Sequence, residues 1–372
     1  MKLADLTWQP YSLPLRAAFR SAHGSLVQRT GALVWVTTAE GVRGCGEIAP
    51  LPGQGRTDLD GVLALLEPLA RALKGRTLAD ILAFLHCGSA QEQWPSSLVC
   101  GLEIALFDAL GRASGQTMAA LLAACAPDPC AQSLPRAHVS VNAVIGGATI
   151  EQMVAQARAA LAAGFSCLKV KLTGAWQEML TCVQTLRSVC GPGVDLRLDA
   201  NEGWSFEQAS QFLACCAACA IEYVEQPLPA GDLALMARLR AHSPVPLAAD
   251  EALTGLEGAL QVLEAGAADV LILKPQLAGG LQICRQIVEQ ASRRGVACVL
   301  TSNLEAGPGV VATLHLAAAL PRVTLPCGLA TLDLLEDDLL LSGLVIAQGQ
   351  MLVPTGPGLG VALKCEEAGG LL

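Results

Sequence analysis

FSCLKVK (165–171), VDLRLD (194–199), IEYVE (221–225), PLAAD (246–250) and ADVLILK (268–274) are five apolar runs that each end in a charged residue, and the ends are evenly spaced. From Lys171 to Asp199, Glu225, Asp250 and Lys274 the steps are 28, 26, 25 and 24 residues, each the length of one strand plus one crossover helix. A parallel strand buried on both faces reads as nearly all apolar, so a charge at its last position serves something at the C-terminal edge of the sheet. Closing such units into a TIM-like barrel brings these ends to one mouth, where barrel enzymes keep their chemistry.

Working outward, HVSVNAVI (138–145) reads as the first barrel strand and GVACVLTS (295–302) as the seventh. Crossover helices are expected near 150–163, 176–189, 205–219, 231–241, 255–264, 280–294 and 309–320. An eighth strand is indistinct; CGLATLDLL (327–335) begins near where it would fall. The first hundred residues break the rhythm. Strands at 3–16 and 32–38, a hairpin over 32–47 and helices at 58–73, 77–85 and 98–113 make an α+β unit. HGSLVQR (23–29) and APLPGQG (49–55) read as irregular, and APDPCAQSLPR (126–136) as a link. The expected division is therefore an α+β domain over 1–130, a (β/α)7β barrel over 131–339, and a tail from roughly 340 to 372 returning to the first domain.

Of the 372 residues, 52% are apolar and 15% charged. The most apolar run, 309–325, is interrupted by His315, Pro321 and Arg322 and is shorter than the roughly 20 residues of a membrane span. MKLADLTWQPYSLPL lacks the unbroken apolar segment of an export signal, which leads to the expectation of a cytoplasmic protein. A net charge of -9 excludes a footprint for nucleic acid or anionic membrane. Fifteen scattered cysteines then read as reduced thiols, with Cys215, Cys216 and Cys219 packing a helix. The sequence does not choose between a monomer and a homo-oligomer.

Asp199, Glu225 and Asp250 end three consecutive strands. Packed together in a partly buried mouth they would raise one another's pKa, so a cation is expected to neutralise them. Oxygen donors on rigid strands favour Mg2+, or Mn2+. Lys169 and Lys171, two apart, point to one side of their strand, and Lys274 arrives from four strands further round. A divalent cation flanked by lysines suits removal of a proton next to a carboxylate, because the charge that develops on the carboxylate oxygens needs stabilising. The expected partner is a small carboxylate. From that start such a site can racemise, epimerise, cycloisomerise or eliminate.

KVK (169–171), DANEGW (199–204), VEQPL (224–228), ADEAL (249–253) and LKPQLAGG (273–280) together resemble the enolase superfamily, in its muconate-lactonising subgroup, over essentially the whole chain. The resemblance implies that the first domain caps the barrel mouth, that Asp199, Glu225 and Asp250 hold Mg2+, and that Glu251 and Asn201 support that set. It also implies Lys171 as the base, Lys169 as the partner of the substrate carboxylate, and Lys274 as the lysine on the opposite face. Asn201, Ser302 and Asn303 are candidate substrate contacts.

Within the subgroup, GEIAPLPG (46–53), DANEGWSFEQA (199–209), TSNLEAGPG (301–309) and CGLATLDLLEDDL (327–339) resemble the o-succinylbenzoate synthases. That resemblance implies a carbon–oxygen lyase, dehydrating 2-succinyl-6-hydroxy-2,4-cyclohexadiene-1-carboxylate to o-succinylbenzoate in menaquinone synthesis. The alternatives are an N-acylamino-acid racemase or dipeptide epimerase, using Lys171 and Lys274 as two bases, and a muconate cycloisomerase. TSN stands where the family often has successive serines, and ADEAL lacks the serine that often follows its Asp-Glu pair. His315, inside an apolar helical run, reads as a packing residue.

Overall fold

The structure, a computed structural model, describes residues 1–21, 24–52, 57–87, 94–125 and 134–367. His23, residues 53–55 of the expected loop and residues 126–133 of the expected link lie outside them. The first unit opens with a long antiparallel hairpin, β1 (Leu3–Ser21) and β2 (Gly24–Thr38), to which β3 (Arg43–Ile48) adds on the far side of β2. Residues 24–29 are thus strand and not the irregular segment expected from their composition. The hairpin absorbs a register shift between Pro14 and Phe19 and then pairs again down to Ser21 and Gly24.

Helices Leu59–Leu73, Leu78–Leu85 and Ser96–Ser114 follow close to expectation, and a short helix, Met118–Ala124, is added. In the first of these Val62, Leu66, Leu69 and Leu73 are buried at helical spacing, each contributing about 1.5–3 kcal/mol by leaving water. The Asp58 side chain accepts from Gly61 N at 3.0 Å and starts that helix. Strand β3 lies so close to helix Ser96–Ser114 that a Cβ on Gly46 would stand 2.0 Å from the Gly101 carbonyl oxygen, which only glycine allows.

The second unit is a seven-stranded parallel sheet whose strands lie side by side in chain order. The expected first strand is divided. β4 (His138–Ser140) pairs antiparallel with a tail strand, whereas β5 (Ala143–Ile145) joins the barrel sheet. The series continues through β6 (Cys167–Lys171), β7 (Asp195–Asp199), β8 (Ile221–Glu225), β9 (Leu247–Ala249), β10 (Val270–Leu273) and β11 (Ala297–Leu300). A helix follows each of these strands at the expected place, from Ile150–Ala162 to Gly307–Ala319.

The eighth strand shrinks to two residues that close the ring. Cys327 bridges Val141 and Gly328 bridges Thr301, both in parallel sense. Four backbone bonds seal the seam: Cys327 N to Ser140 O, Asn142 N to Cys327 O, Gly328 N to Leu300 O and Ser302 N to Gly328 O. The fold is therefore a (β/α)7β barrel with an α+β capping unit. Beyond the barrel, β12 (Ile346–Ala347) and β13 (Gln350–Leu352) form a hairpin that pairs with β4. Gly358 then exchanges backbone bonds with Gln116 and Met118 in the capping unit.

Buried carboxylates of the capping unit reach barrel helices. Glu47 accepts from Ala306 N at 2.7 Å and Gly309 N at 2.8 Å, at the start of helix Gly307–Ala319, and also from the Tyr11 hydroxyl. Glu103 accepts from Leu281 N at 2.5 Å and Gln282 N at 3.2 Å, at the start of helix Leu281–Arg293. Each anion meets amides that the helix itself leaves unpaired. Gly280 (φ 113°) leaves room for this approach, since a Cβ there would lie 2.3 Å from Glu103 Oε2. Among the described residues no helix is long and apolar enough to cross a membrane.

Candidate active site

Alternation along the barrel strands decides where the charges point. Leu168, Val170, Leu196, Leu198, Val224, Leu271 and Leu273 belong to the large core under the helices. Tyr223, Ala248, Val270, Ile272 and Val299 form a separate small cluster on the other face. With a period of two, Lys169, Lys171, Arg197, Asp199 and Glu225 share that inner face. One cavity of about 160 Å³ opens at the C-terminal ends, and Lys169, Lys171, Asp199, Asn201, Asp250, Glu251, Lys274, Ser302 and Asn303 all line it. Glu225 adjoins it through Lys169.

The ammonium of Lys169 lies 2.6 Å from Glu225 Oε1 and 3.1 Å from Asp199 Oδ2. Lys171 Nζ lies 3.2 Å from Asp199 Oδ2 and 3.4 Å from Asn201 Oδ1. Lys274 Nζ, on the far side, lies 2.6 Å from Asp250 Oδ2. Asn201 donates from Nδ2 to Glu251 Oε1 at 3.3 Å, which ties Glu251 to the Lys171 side. Left-handed backbone recurs at the mouth, at Asn201 (φ 42°) and Glu202 (φ 61°) after β7, Gln226 (φ 37°) after β8 and Leu304 (φ 60°) after β11. Such conformations persist only where surroundings impose them.

The electrostatics follow from burial and pairing. Burial alone disfavours the Lys169 ammonium, yet Asp199 and Glu225 override it and hold its pKa well above the ordinary lysine value. Lys274 is raised in the same way, burial being outweighed by Asp250. Burial pushes Asp199 up, but Lys169 and Lys171 more than offset this and its carboxyl lies below the usual range. Glu225 goes the other way, pushed up to about 8 by burial and then by the charge of Asp199. Glu251 is raised to about 7 by burial and by Asp250.

Among the described residues no group of three acidic, histidine or cysteine side chains stands gathered for a metal; the lysine ammonium groups lie between the carboxylates instead. The chemistry of the donors still fits a hard divalent cation. Glu225 Oε2 and Glu251 Oε2 are buried without a hydrogen-bond partner, and burial and the charge of Asp199 both disfavour the Glu225 carboxylate, which a bound cation would offset. Asp199, Glu225 and Asp250 are the residues that could hold it.

Models of two adjoining domains match this chain: the N-terminal domain of mandelate racemase and muconate lactonizing enzyme over residues 5–123, and an enolase C-terminal domain-like model over 152–368. The chain belongs to the enolase superfamily. It falls in the mandelate racemase/muconate lactonizing subgroup of that superfamily, whose catalysis is associated with Mg2+.

Muconate cycloisomerase 1 of Rhodococcus opacus is 29% identical over 95% of this chain and 94% of that protein. The N-succinylamino acid racemase of Thermus thermophilus is 30% identical over 95% and 92%, and the L-Ala-D/L-Glu epimerase of Bacillus subtilis 28% over 97% of each. A substrate-liganded structure of that epimerase superposes with a TM-score of 0.88 at 27% identity, covering 97% of this chain and 99% of its own.

These matches correct the expectation of an o-succinylbenzoate synthase. The synthase of Thermobifida fusca is 35% identical, but over only 55% of this chain and 62% of its own length; relatives that match almost end to end include a cycloisomerase, a racemase and epimerases. The candidate lysines and acids lie in KVK, DANEGW, VEQPL, ADEAL and LKPQLAGG, the stretches that resemble the superfamily as a whole, whereas of the stretches that resemble the synthases only DANEGWSFEQA carries one of them, Asp199.

Several residues of the site escaped the sequence reading. Gln226, buried in the VEQPL motif, accepts from Asp250 N at 3.0 Å and Ala252 N at 3.4 Å and donates to Leu228 O at 2.9 Å, bracing the strand end that carries Asp250. Leu26, Leu51 and Pro52 lie in the two segments, 23–29 and 49–55, that the superfamily resemblance places over the mouth, and they complete the cavity with Leu304 and Leu334. His315 is buried away from it, its Nε2 3.0 Å from the Leu359 carbonyl oxygen. Asp333 is exposed on the turn Leu332–Leu334 and does not line the cavity.

Proposed function

We propose that this chain catalyses an Mg2+-dependent 1,1-proton transfer, racemising or epimerising an amino acid acylated on nitrogen, whether an N-acyl amino acid or the C-terminal residue of a dipeptide. One observation carries the reading. Lys171 and Lys274 rise from strand ends four strands apart, on opposite sides of a single cavity, and each is held by a different carboxylate, Asp199 or Asp250.

Lys169, kept cationic by Asp199 and Glu225, receives the substrate carboxylate as an ion partner and takes no proton. Lys171 accepts the α-proton from one face, leaving its electron pair delocalised into the carboxylate as an enediolate. Lys274, as an ammonium, returns a proton to the α-carbon from the other face, so the configuration inverts. In the reverse direction the two lysines exchange roles. Asp199, Glu225 and Asp250 would hold the Mg2+, whose chemistry is to stabilise negative charge developing on carboxylate oxygens. The apolar residues Leu26, Leu51, Pro52 and Leu304 face the acyl or side-chain part of the substrate and exclude water.

Incubation of the Mg2+-loaded protein in 2H2O with a panel of N-acyl amino acids and dipeptides tests this. Deuterium at the α-carbon together with loss of optical purity is the expected result. Recovery of every panel member with its proton and configuration intact would overturn the reading.

A further inference from the structure

Arg29 is fully buried in β2 and donates all five of its guanidinium N–H groups to backbone carbonyl oxygens. Nε donates to Leu304 at 3.0 Å; Nη1 to Thr30 at 2.8 Å and Pro50 at 2.6 Å; Nη2 to Ala49 at 2.5 Å and Asn303 at 3.4 Å. These oxygens belong to three segments, and each segment contributes to the cavity wall: β2 through Leu26, the capping segment after β3 through Leu51 and Pro52, and the barrel segment after β11 through Asn303 and Leu304. The charge of Arg29 favours the ionised forms of the buried Glu47 and Glu305 nearby, but its hydrogen bonds named above all go to backbone carbonyls, so the return for burying it is a fixed backbone geometry.

The return lies in Leu304. Its φ of 60° is a conformation that leucine rarely adopts, and it is held from both ends, by Arg29 on its carbonyl and by Ser302 Oγ, 3.3 Å from its amide. The capping segment is pinned a second time by Gln276, which accepts from Ala49 N at 3.0 Å and donates to Glu47 O at 2.8 Å. Gln276 lies two residues after Lys274.

We propose that Arg29 is a positioning residue for substrate selection: by tying the capping segment to the barrel segment it sets the spacing of Leu51, Pro52 and Leu304, and so the size and shape of the group accepted away from the carboxylate. The inference rests on the acylamino reading for the nature of that group. Arg29 touches none of the reacting atoms, so its loss changes which substrates bind well and leaves proton transfer itself largely intact. Lysine cannot replace it, since its three radial donors cannot span five oxygens in a planar fork.

The test uses the full-length Mg2+-loaded protein with Arg29→Met, Arg29→Lys and Leu304→Gly. Amide hydrogen exchange, read without any substrate, is expected to accelerate at least about tenfold in the peptides covering 49–52 and 302–306, while those covering β6, β7 and β8 stay as in the wild type. With the best acylamino substrate of the panel, KM is expected to rise about tenfold or more and kcat to change by no more than about threefold. Should Arg29→Met fail to fold, the cycle of Arg29→Lys with Leu304→Gly decides the matter: a shared wall gives KM increases that do not multiply, and independent roles give increases that do. Unchanged exchange in both peptides, acceleration spread over the whole barrel, multiplying KM effects, or a fall in kcat at constant KM would each overturn the proposal. If the wild type turns over no panel member, the acylamino reading falls, and the exchange comparison still decides whether Arg29 holds the two segments together.

Discussion

Lys169 Nζ stands 2.6 Å from Glu225 Oε1, while the other oxygen of the same buried carboxylate has no hydrogen-bond partner. Lys169 is bracketed by two carboxylates, Glu225 and Asp199, which makes it an electrostatic anchor in the cavity that Lys171 and Lys274 also line.

The first expectation concerns Glu225. Glu225→Gln keeps an oxygen at the site and removes its charge, and Mg2+ affinity measured by titration calorimetry is expected to fall by at least about tenfold, with turnover lost in parallel. Wild-type affinity in this variant would remove Glu225 from the cation site.

A second expectation concerns Glu103, which ties the capping unit to the start of helix Leu281–Arg293. Glu103→Leu leaves the amides of Leu281 and Gln282 buried without an acceptor, and chemical denaturation is expected to show a loss of roughly 2–5 kcal/mol. A loss below about 0.5 kcal/mol would mean that water or a rearranged neighbour takes over.

The third concerns pH. Burial lowers the His315 pKa to about 4, against an ordinary 6.5. Between these values the unfolded chain binds a proton that the folded chain does not, so stability falls as pH drops from about 6.5 towards 4. The raised carboxyls of Glu225, Glu251 and Glu305 work in the opposite sense, because their folded forms bind protons first. The His315 contribution is therefore read as a difference: between pH 7 and pH 5 the wild type is expected to lose about 2 kcal/mol more than His315→Gln. Parallel stability curves for the two proteins would contradict a buried neutral histidine.

How far the sequence could be read depends on what each feature's partners are. The barrel was legible because a strand buried on both faces leaves a terminal charge conspicuous, which brought Lys171, Asp199, Glu225, Asp250 and Lys274 into view together. The eighth strand was not, because two residues, Cys327 and Gly328, suffice to close the ring and carry no periodicity. Residues 24–29 looked irregular because a polar, glycine-containing segment becomes strand only through its pairing with β1. Arg29 gave no signal at all, since its partners are backbone carbonyls, one of them 275 residues further on. Nor could the motifs distinguish dehydration from racemisation, because they encode the removal of a proton and not its fate.

That two lysines, Lys171 and Lys274, serve opposite faces of one α-carbon is tested most directly by Lys274→Ala assayed in 2H2O with each enantiomer of the acylamino acid that the wild type turns over fastest. The expected result is that the enantiomer presenting its proton to Lys171 still exchanges it for deuterium, that the other enantiomer does not, and that neither is converted into its mirror image. Interconversion at the wild-type rate, or equal loss of exchange from both enantiomers, would contradict it.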